Sequence, residues 1–318
     1  MDISLAPVGT EPPGQGPAPG PGHAPAGPDG PGASGGPAPV GSLSPSRAAD
    51  FMTCPLRYRF RVLDRLPEPP SPAAVRGTVV HSVLERLFER PAPARTVEAA
   101  HDLLEPAWAA ALAREPELAG LFADDAERLA WFEAARGLLA GYFSLEDPSR
   151  LSPAARELYI EHTLPSGLRL RGYIDRLDEA ETPAGLAVRI VDYKTGRSPG
   201  PAFEASALFQ MRFYALMVWR ARGVMPRELR LYYLGDRTWL RVVPDEADLR
   251  ATERKIDALW AAITRAREAG DWRPRPSRLC DWCDHQARCP AFGGTPPPLP
   301  VEVERVEEGT PSVCEADG

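Results

Sequence analysis

Between Pro153 and Lys194 the chain carries three short runs rich in β-branched and aromatic residues, 156–164, 168–178 and 186–193. Pro165-Ser166-Gly167 and Thr182-Pro183-Ala184-Gly185 separate them, so the segment reads as three strands of a meander. Apolar spacing on either side is helical. It predicts helices over 45–51, with Ser44 as cap and Cys54-Pro55 as stop, and over 71–90, with Val80, Val83, Leu84, Leu87 and Phe88 as the apolar stripe. Further helices are expected near 97–114, 124–146, 203–222 and 246–269, with a hairpin at 229–234 and 238–243 turning on Gly235-Asp236.

A hydrophobic content of 43% in 318 residues supports a sizeable core. Residues 1–40, mostly Pro, Gly and Ala, hold too little large apolar surface to offset ordering and read as a disordered arm. The folded part is expected over 41–295 and an acidic disordered tail over 296–318, in which Arg305 alone faces six carboxylates. Of the net charge of −7, the arm carries −3 and the tail −5, which leaves 41–300 at +1. Any track for a polyanion must therefore be local. Arg57, Arg59, Arg61 and Arg65 form one basic cluster and Arg273, Arg275, Arg278 and Arg288 another, although each could also be an ordinary solvated face. No run reaches the ~18 apolar residues of a membrane span, and no signal peptide is evident, so a cytoplasmic protein without a membrane partner is expected.

Only Lys194 and Lys255 are lysines among 37 Lys plus Arg. A lysine kept in Asp192-Tyr193-Lys194, downstream of Gly172-Tyr173-Ile174-Asp175, points to chemistry that guanidinium cannot supply, because an ammonium is compact, mobile and able to shift its pKa. Asp192 and Lys194 share a sheet face by period-2 alternation. Asp175 looks to lie near the opposite end of its strand, so a bend or bulge is expected to bring it to Asp192. Two such carboxylates suit a hard divalent cation, Mg²⁺ or Mn²⁺, which would polarise a phosphodiester and acidify a bound water while Lys194 orients the water or offsets developing charge. Spacing alone fits a surface Asp–Lys pair equally. His81 and Glu85 share a helix face, and an imidazole beside the aspartates would bias the site towards Mn²⁺. Gln210 and Tyr214, also i and i+4, could hold a phosphate or stack on a base, or simply pack the helix.

Cys280-Asp281-Trp282-Cys283 followed by Cys289 is a metal-binding pattern lacking one ligand. Cys54 is the best fourth thiol, His285 competes with it, and Cys314 is spare. Spacing does not choose between Zn²⁺ and an iron–sulfur cluster. Either would pin the first folded helix to the last segment.

In order, Cys54-Pro55-x-Arg57-Tyr58, Gly77-x3-His81-x3-Glu85, Gly172-Tyr-Ile-Asp175, Asp192-Tyr-Lys194-Thr-Gly196, Gln210-x3-Tyr214 and Cys280-x2-Cys283-x5-Cys289 resemble the RecB-type branch of the PD-(D/E)xK nucleases. The chain is similar to its iron–sulfur members, among them the AddB nuclease domain and the CRISPR-associated nucleases of this type. The resemblance implies an α/β restriction-endonuclease-like core with a mixed central sheet, a helical insertion near 91–150 and a cluster-bound cap. It implies that His81, Asp175, Asp192 and the Tyr193 carbonyl bind Mg²⁺ or Mn²⁺, with Asp175, Asp192 and Lys194 catalytic. It further implies a [4Fe–4S] cluster on Cys54, Cys280, Cys283 and Cys289, and DNA contacts from Gln210 and Tyr214, beside the Arg57 and Arg59 track. Asp192 stands where many superfamily members place Glu, and no motor domain accompanies the motifs. The expected activity is hydrolysis of DNA from single-stranded ends in repair or recombination. Two other readings stay open: a non-catalytic DNA-binding subunit that depends on a helicase partner, and a zinc-stabilised interaction module.

Overall fold

The structure, a computed structural model, describes residues 41–198 and 201–300. A six-stranded mixed sheet lies between two helical layers. Its strands are β1 (Ser42–Leu43), β2 (Ala155–Thr163), β3 (Arg169–Thr182), β4 (Gly185–Lys194), β5 (Glu228–Tyr233) and β6 (Thr238–Val242). The helices are α1 (Pro45–Thr53), α2 (Pro55–Tyr58), α3 (Pro72–Leu87), α4 (Val97–Asp102), α5 (Leu104–Arg114), α6 (Asp125–Leu145), α7 (Pro201–Arg222) and α8 (Glu246–Ala269).

Local chemistry sets the boundaries. Ser44 caps α1 by accepting the Arg47 N–H, Asp124 and Asp245 do the same for α6 and α8, and Gly270 ends α8 in the left-handed conformation. Cys54 is extended, so it closes α1 and opens α2 at Pro55. The helix expected over 97–114 is broken at Leu103 into α4 and α5. Sequence periodicity also missed β1 and a π-helical turn at Arg59–Leu63.

Alternation sorts the two layers. Val191 and Tyr193 of β4 and Tyr232 of β5 pack with α3–α6, whereas Ile190, Leu229 and Leu231 pack with α1, α7 and α8. The segment near 91–150 thus forms the α4–α6 layer over one sheet face. Phe51 and Tyr58 pack on Trp272, which joins the first helices to the end of the described chain.

β3 is the organising strand. β2 pairs along Arg169–Leu177, so β1, on Arg169 and Leu170, and β4, on Arg176–Thr182, must share the other edge. Residues 171–175 of that edge have no strand partner among the described residues. β4 parts from β3 after Val191 and runs on to Lys194 paired in parallel with β5. The site opens in the wedge between them.

Candidate active site

Asp175 reaches Asp192 from mid-strand and not from a strand end, which corrects the placement expected from sequence. β3 runs on to Thr182, placing Asp175 in mid-strand, and the β3–β4 register pairs Arg176 with Val191. One further step puts Asp175 opposite Asp192, where the strands diverge. Oδ2 of Asp175 fills the gap by accepting the Tyr193 N–H at 2.7 Å.

Lys194 lies on the same face. Its Nζ is 2.7 Å from Oδ2 of Asp192 and donates to Oε1 of Gln210 at 2.9 Å, while Gln210 Nε2 donates to Oδ1 of Asp192 at 3.1 Å. Gln210 therefore spends its amide on aligning the carboxylate and the ammonium. Tyr214 is buried one turn further along α7, and burial followed by Asp192 and Asp175 pushes its phenol up. Gly172 makes room for it, since a Cβ there would sit 2.8 Å from Tyr214 Cε1.

From the other side, α3 delivers His81. Its Nε2 is 2.8 Å from the Tyr193 carbonyl oxygen and its Nδ1 is 3.5 Å from Oδ2 of Asp175. His81 and Asp175 thus meet beside the Tyr193 carbonyl, while Asp192 stands with Lys194 and Gln210; imidazole, carboxylate and carbonyl oxygens are donors that would suit Mg²⁺ or, with the imidazole, Mn²⁺. Glu85 lines the same cleft, its acid pushed up by burial.

Glu157 escaped the sequence reading. It lies on β2 beside Asp175, with φ of 42°, and its Oε1 is 4.0 Å from Nδ1 of His81. The ladder pairs Arg156 with Arg176 and Leu158 with Ile174 but skips the Glu157–Asp175 pair. Counting outward from the turn would have found it, because Glu157 and Asp175 are each nine residues from Ser166.

Charge is poorly balanced here. Burial, reinforced by Asp192 and opposed by His81, pushes Asp175 up to about 6. Burial and then Asp175 push Glu157 up to about 7. Burial alone would lower the Lys194 ammonium, yet Asp192 and Asp175 hold it above its ordinary value.

These groups line a cleft of ≈ 1550 Å³, wide enough for a polymer strand, with Arg61, Arg65, Arg171 and Arg197 on its walls. The basic cluster expected to track DNA is largely tied up. Arg59 is buried against Asp64 at 3.0 Å and donates to the Pro297 carbonyl, because the π-helical turn rotates it inward. Its expected DNA contact is therefore withdrawn. Arg57 lies 3.5 Å from Asp50 and borders the cysteine cavity instead of the cleft, and Arg61 pairs with Asp50 and Glu68.

Cys54, Cys280, Cys283 and Cys289 line one smaller cavity of ≈ 40 Å³. Cys54 Sγ accepts the Arg275 N–H at 3.4 Å, and Cys280 Sγ accepts the Ser277 N–H at 3.3 Å. His285 also borders it, but its Nε2 lies 2.9 Å from Glu68. Zn–S bonds of about 2.3 Å would draw tetrahedral thiolates to about 3.8 Å from one another. Among the described residues only His81, Glu157 and Asp175 bring three ligand atoms within 4.8 Å of one another, so no three of these thiols are drawn together to that extent. Cys314 lies outside the described residues.

Comparison with known proteins agrees with this geometry. The family described as "PD-(D/E)XK nuclease superfamily" matches residues 42–290, which takes in the sheet, every cleft residue named above and the four cavity cysteines. The chain belongs to that superfamily. It is 31% identical over 129 residues to the Gene 69 protein of Mycobacterium phage L5, a match spanning 40% of this chain and 41% of the phage protein. It is 25% identical over 280 residues to the Gene 69 protein of phage D29, covering 78% of this chain and 96% of that protein. The crystal structure of a Eubacterium rectale protein named "Putative exonuclease" superposes with a TM-score of 0.51 at 15% identity, covering 85% of this chain and 94% of that one, which shows a shared fold. Among the described residues no helix is long and apolar enough to cross a membrane.

Proposed function

We propose that this protein is a Mg²⁺- or Mn²⁺-dependent deoxyribonuclease of the RecB type, degrading DNA from single-stranded ends in repair or recombination. One observation carries the proposal: Lys194, held 2.7 Å from Asp192, lines one open cleft with Asp175, which accepts the Tyr193 N–H, and with His81, which lies 3.5 Å from Asp175. His81, Asp175, Asp192 and the Tyr193 carbonyl would hold the cation. When bound, it would polarise the scissile phosphate and lower the pKa of a water.

The chain's own groups do the rest. With its ammonium held beside Asp192 and Asp175, Lys194 is a donor placed to orient water and to offset charge that develops on the phosphate oxygens. Gln210 fixes that donor and the Asp192 carboxylate together. Tyr214 walls the cleft beside the Gln210 amide, where a base or sugar would pass. Arg65 and Arg197 replace Arg59 as the phosphate contacts.

The cysteine cavity would hold a [4Fe–4S] cluster on Cys54, Cys280, Cys283 and Cys289, a reading supported by the four thiols lining one cavity and by the two N–H groups aimed at sulfur. Its role would be structural, joining α1 and α2 to residues 275–292.

The test is an anaerobic assay on DNA labelled at either end, single- or double-stranded, with Mg²⁺, Mn²⁺ or EDTA, beside Lys194→Ala. Metal-dependent loss of single-stranded label in the wild type alone supports the proposal and gives the polarity. Intact DNA binding without cleavage would transfer the reading to a subunit that needs a helicase partner. Iron and acid-labile sulfide in brown protein support the cluster, and zinc in colourless protein refutes it.

A further inference from the structure

Three carboxylates stand in a row across the sheet at the mouth of the wedge: Glu157 on β2, Asp175 on β3 and Asp192 on β4. Asp175 is the middle one, since Arg156 and Val191 flank Arg176 on its two edges. Lys194 and Gln210 attend to Asp192, at one end of the row. At the other end stand Glu157 and the Nδ1 of His81, 4.0 Å apart, with Asp175 Oδ2 3.5 Å from the same nitrogen.

We infer that Glu157 is a direct ligand of the divalent cation, which sits on the His81–Glu157–Asp175 side of the cleft. One atom from each of these residues lies within 4.8 Å of the other two, so small rotamer changes suffice to close them on one ion. Bonds of about 2.0–2.2 Å to an ion such as Mn²⁺ place ligand atoms about 3 Å apart in an octahedral shell, against 3.5 Å and 4.0 Å from Nδ1 of His81 to the two carboxylates without an ion. Asp175 then has a carboxylate on each side. On one side Lys194 offsets Asp192, and on the other a cation held with His81 would offset Glu157.

The backbone of Glu157 points the same way. A φ of 42° is a left-handed conformation that costs any residue with a Cβ, and it falls at the single skipped step of an otherwise regular β2–β3 ladder. Glycine would occupy the position without strain, whereas this chain places a long carboxylate there that reaches His81. An imidazole with two carboxylates is a donor set that raises preference for Mn²⁺ over Mg²⁺, so Glu157 would set metal choice as well as affinity.

The inference deepens the nuclease reading, and its test reads metal binding instead of cleavage. Mn²⁺ would be titrated into metal-free protein and the free ion followed by electron paramagnetic resonance, for the wild type and for Glu157→Gly, Glu157→Asp and Glu115→Gln. Glu157→Gly keeps the left-handed backbone while removing the ligand, Glu157→Asp keeps the charge but shortens its reach, and Glu115 is another cleft carboxylate outside the cluster. Thermal melts of metal-free protein check folding.

The inference expects Mn²⁺ affinity to fall about tenfold or more in both Glu157 variants, in line with the sensitivity of metal sites to their shells. Affinity in Glu115→Gln should stay within about twofold, and the Mn²⁺ preference should narrow in Glu157→Gly. Wild-type affinity in Glu157→Gly overturns the inference and leaves the nuclease reading intact. Loss in Glu157→Gly with full affinity in Glu157→Asp also overturns it, because Glu157 would then act as a distant charge. No Mn²⁺ binding by the wild type overturns this inference and the metal-dependent activity together.

Discussion

Two carboxylate assemblies occupy neighbouring positions of β3 and β4, one on each side of the sheet. In the cleft, Glu157, Asp175 and Asp192 face one lysine. Beneath them, Glu146 and Asp178 face two arginines: Arg176 reaches Glu146 at 2.7 Å and Asp178 at 3.1 Å, and Arg189 reaches Asp178 at 2.7 Å. Arg176 is fully buried and also donates to the Tyr193 hydroxyl at 2.7 Å, with Tyr142 and Tyr232 around it. The buried assembly has charge balance and fixed guanidinium forks, and the Glu146 acid is pulled down because Arg176 and Arg189 outweigh its burial. The cleft assembly has excess negative charge and a compact ammonium, and burial pushes its Asp175 and Glu157 acids up. Balance marks the group that holds α6 to the sheet. Imbalance marks the one that the proposed nuclease activity assigns to a cation and a reacting phosphate.

The comparison breaks most sharply at Arg176. Arg176→Ala leaves the buried Glu146 and Asp178 to share Arg189 and is expected to cost about 3–5 kcal/mol in urea unfolding. A loss below about 1 kcal/mol would mean that the network does not hold the insertion to the sheet. Lys194→Ala should instead leave folding nearly unchanged and reduce cleavage by about 10²–10³, the scale of one donor to developing charge.

A smaller effect separates the two by pH. Asp175 and Glu157 have folded pKa values above their unfolded ones, so the metal-free protein should gain stability as pH falls from about 7 towards about 4.5. Glu146 has the opposite sign: its stabilisation is present above its unfolded pKa and is lost as pH falls through the lowered folded value. Thermal melts in EDTA should therefore peak near pH 4.5–5, and saturating Mn²⁺ should remove the gain between pH 7 and 5. A melting temperature that only rises with pH in EDTA would contradict the imbalance. The smallest effect concerns the other lysine. Lys255 sits 4.5 Å over the Phe209 ring, a contact arginine can also make, so Lys255→Arg should change stability by less than about 0.5 kcal/mol and leave activity intact.

Much of this was legible in the sequence, for physical reasons that differ by element. The three strands around 155–194 announce themselves because β-branched runs and turn residues are local signals, and Ser44, Cys54 and Pro55 mark helix ends where the structure has them. The lysine between carboxylates was visible because arginine is otherwise so dominant. Asp175 was placed too near a strand end, since nothing local fixes where a strand stops when its neighbour continues the pairing. Glu157 was missed because its role depends on register across two strands. Arg59 was misjudged because a basic residue looks solvated until a π-helical turn folds it against Asp64. The fourth cysteine could be named from its scarcity, but the cavity that the four thiols share exists only in three dimensions.

Lys194→Arg is the most direct test of the central claim, that this site needs a compact ammonium beside carboxylates kept for a cation. Cleavage of end-labelled single-stranded DNA would be followed over a Mn²⁺ titration for the wild type and this variant. The account predicts metal-dependent cleavage by the wild type and a loss of at least about 10²-fold in the variant, despite its preserved positive charge. Equal cleavage by the two proteins, or cleavage that persists in EDTA, would contradict it.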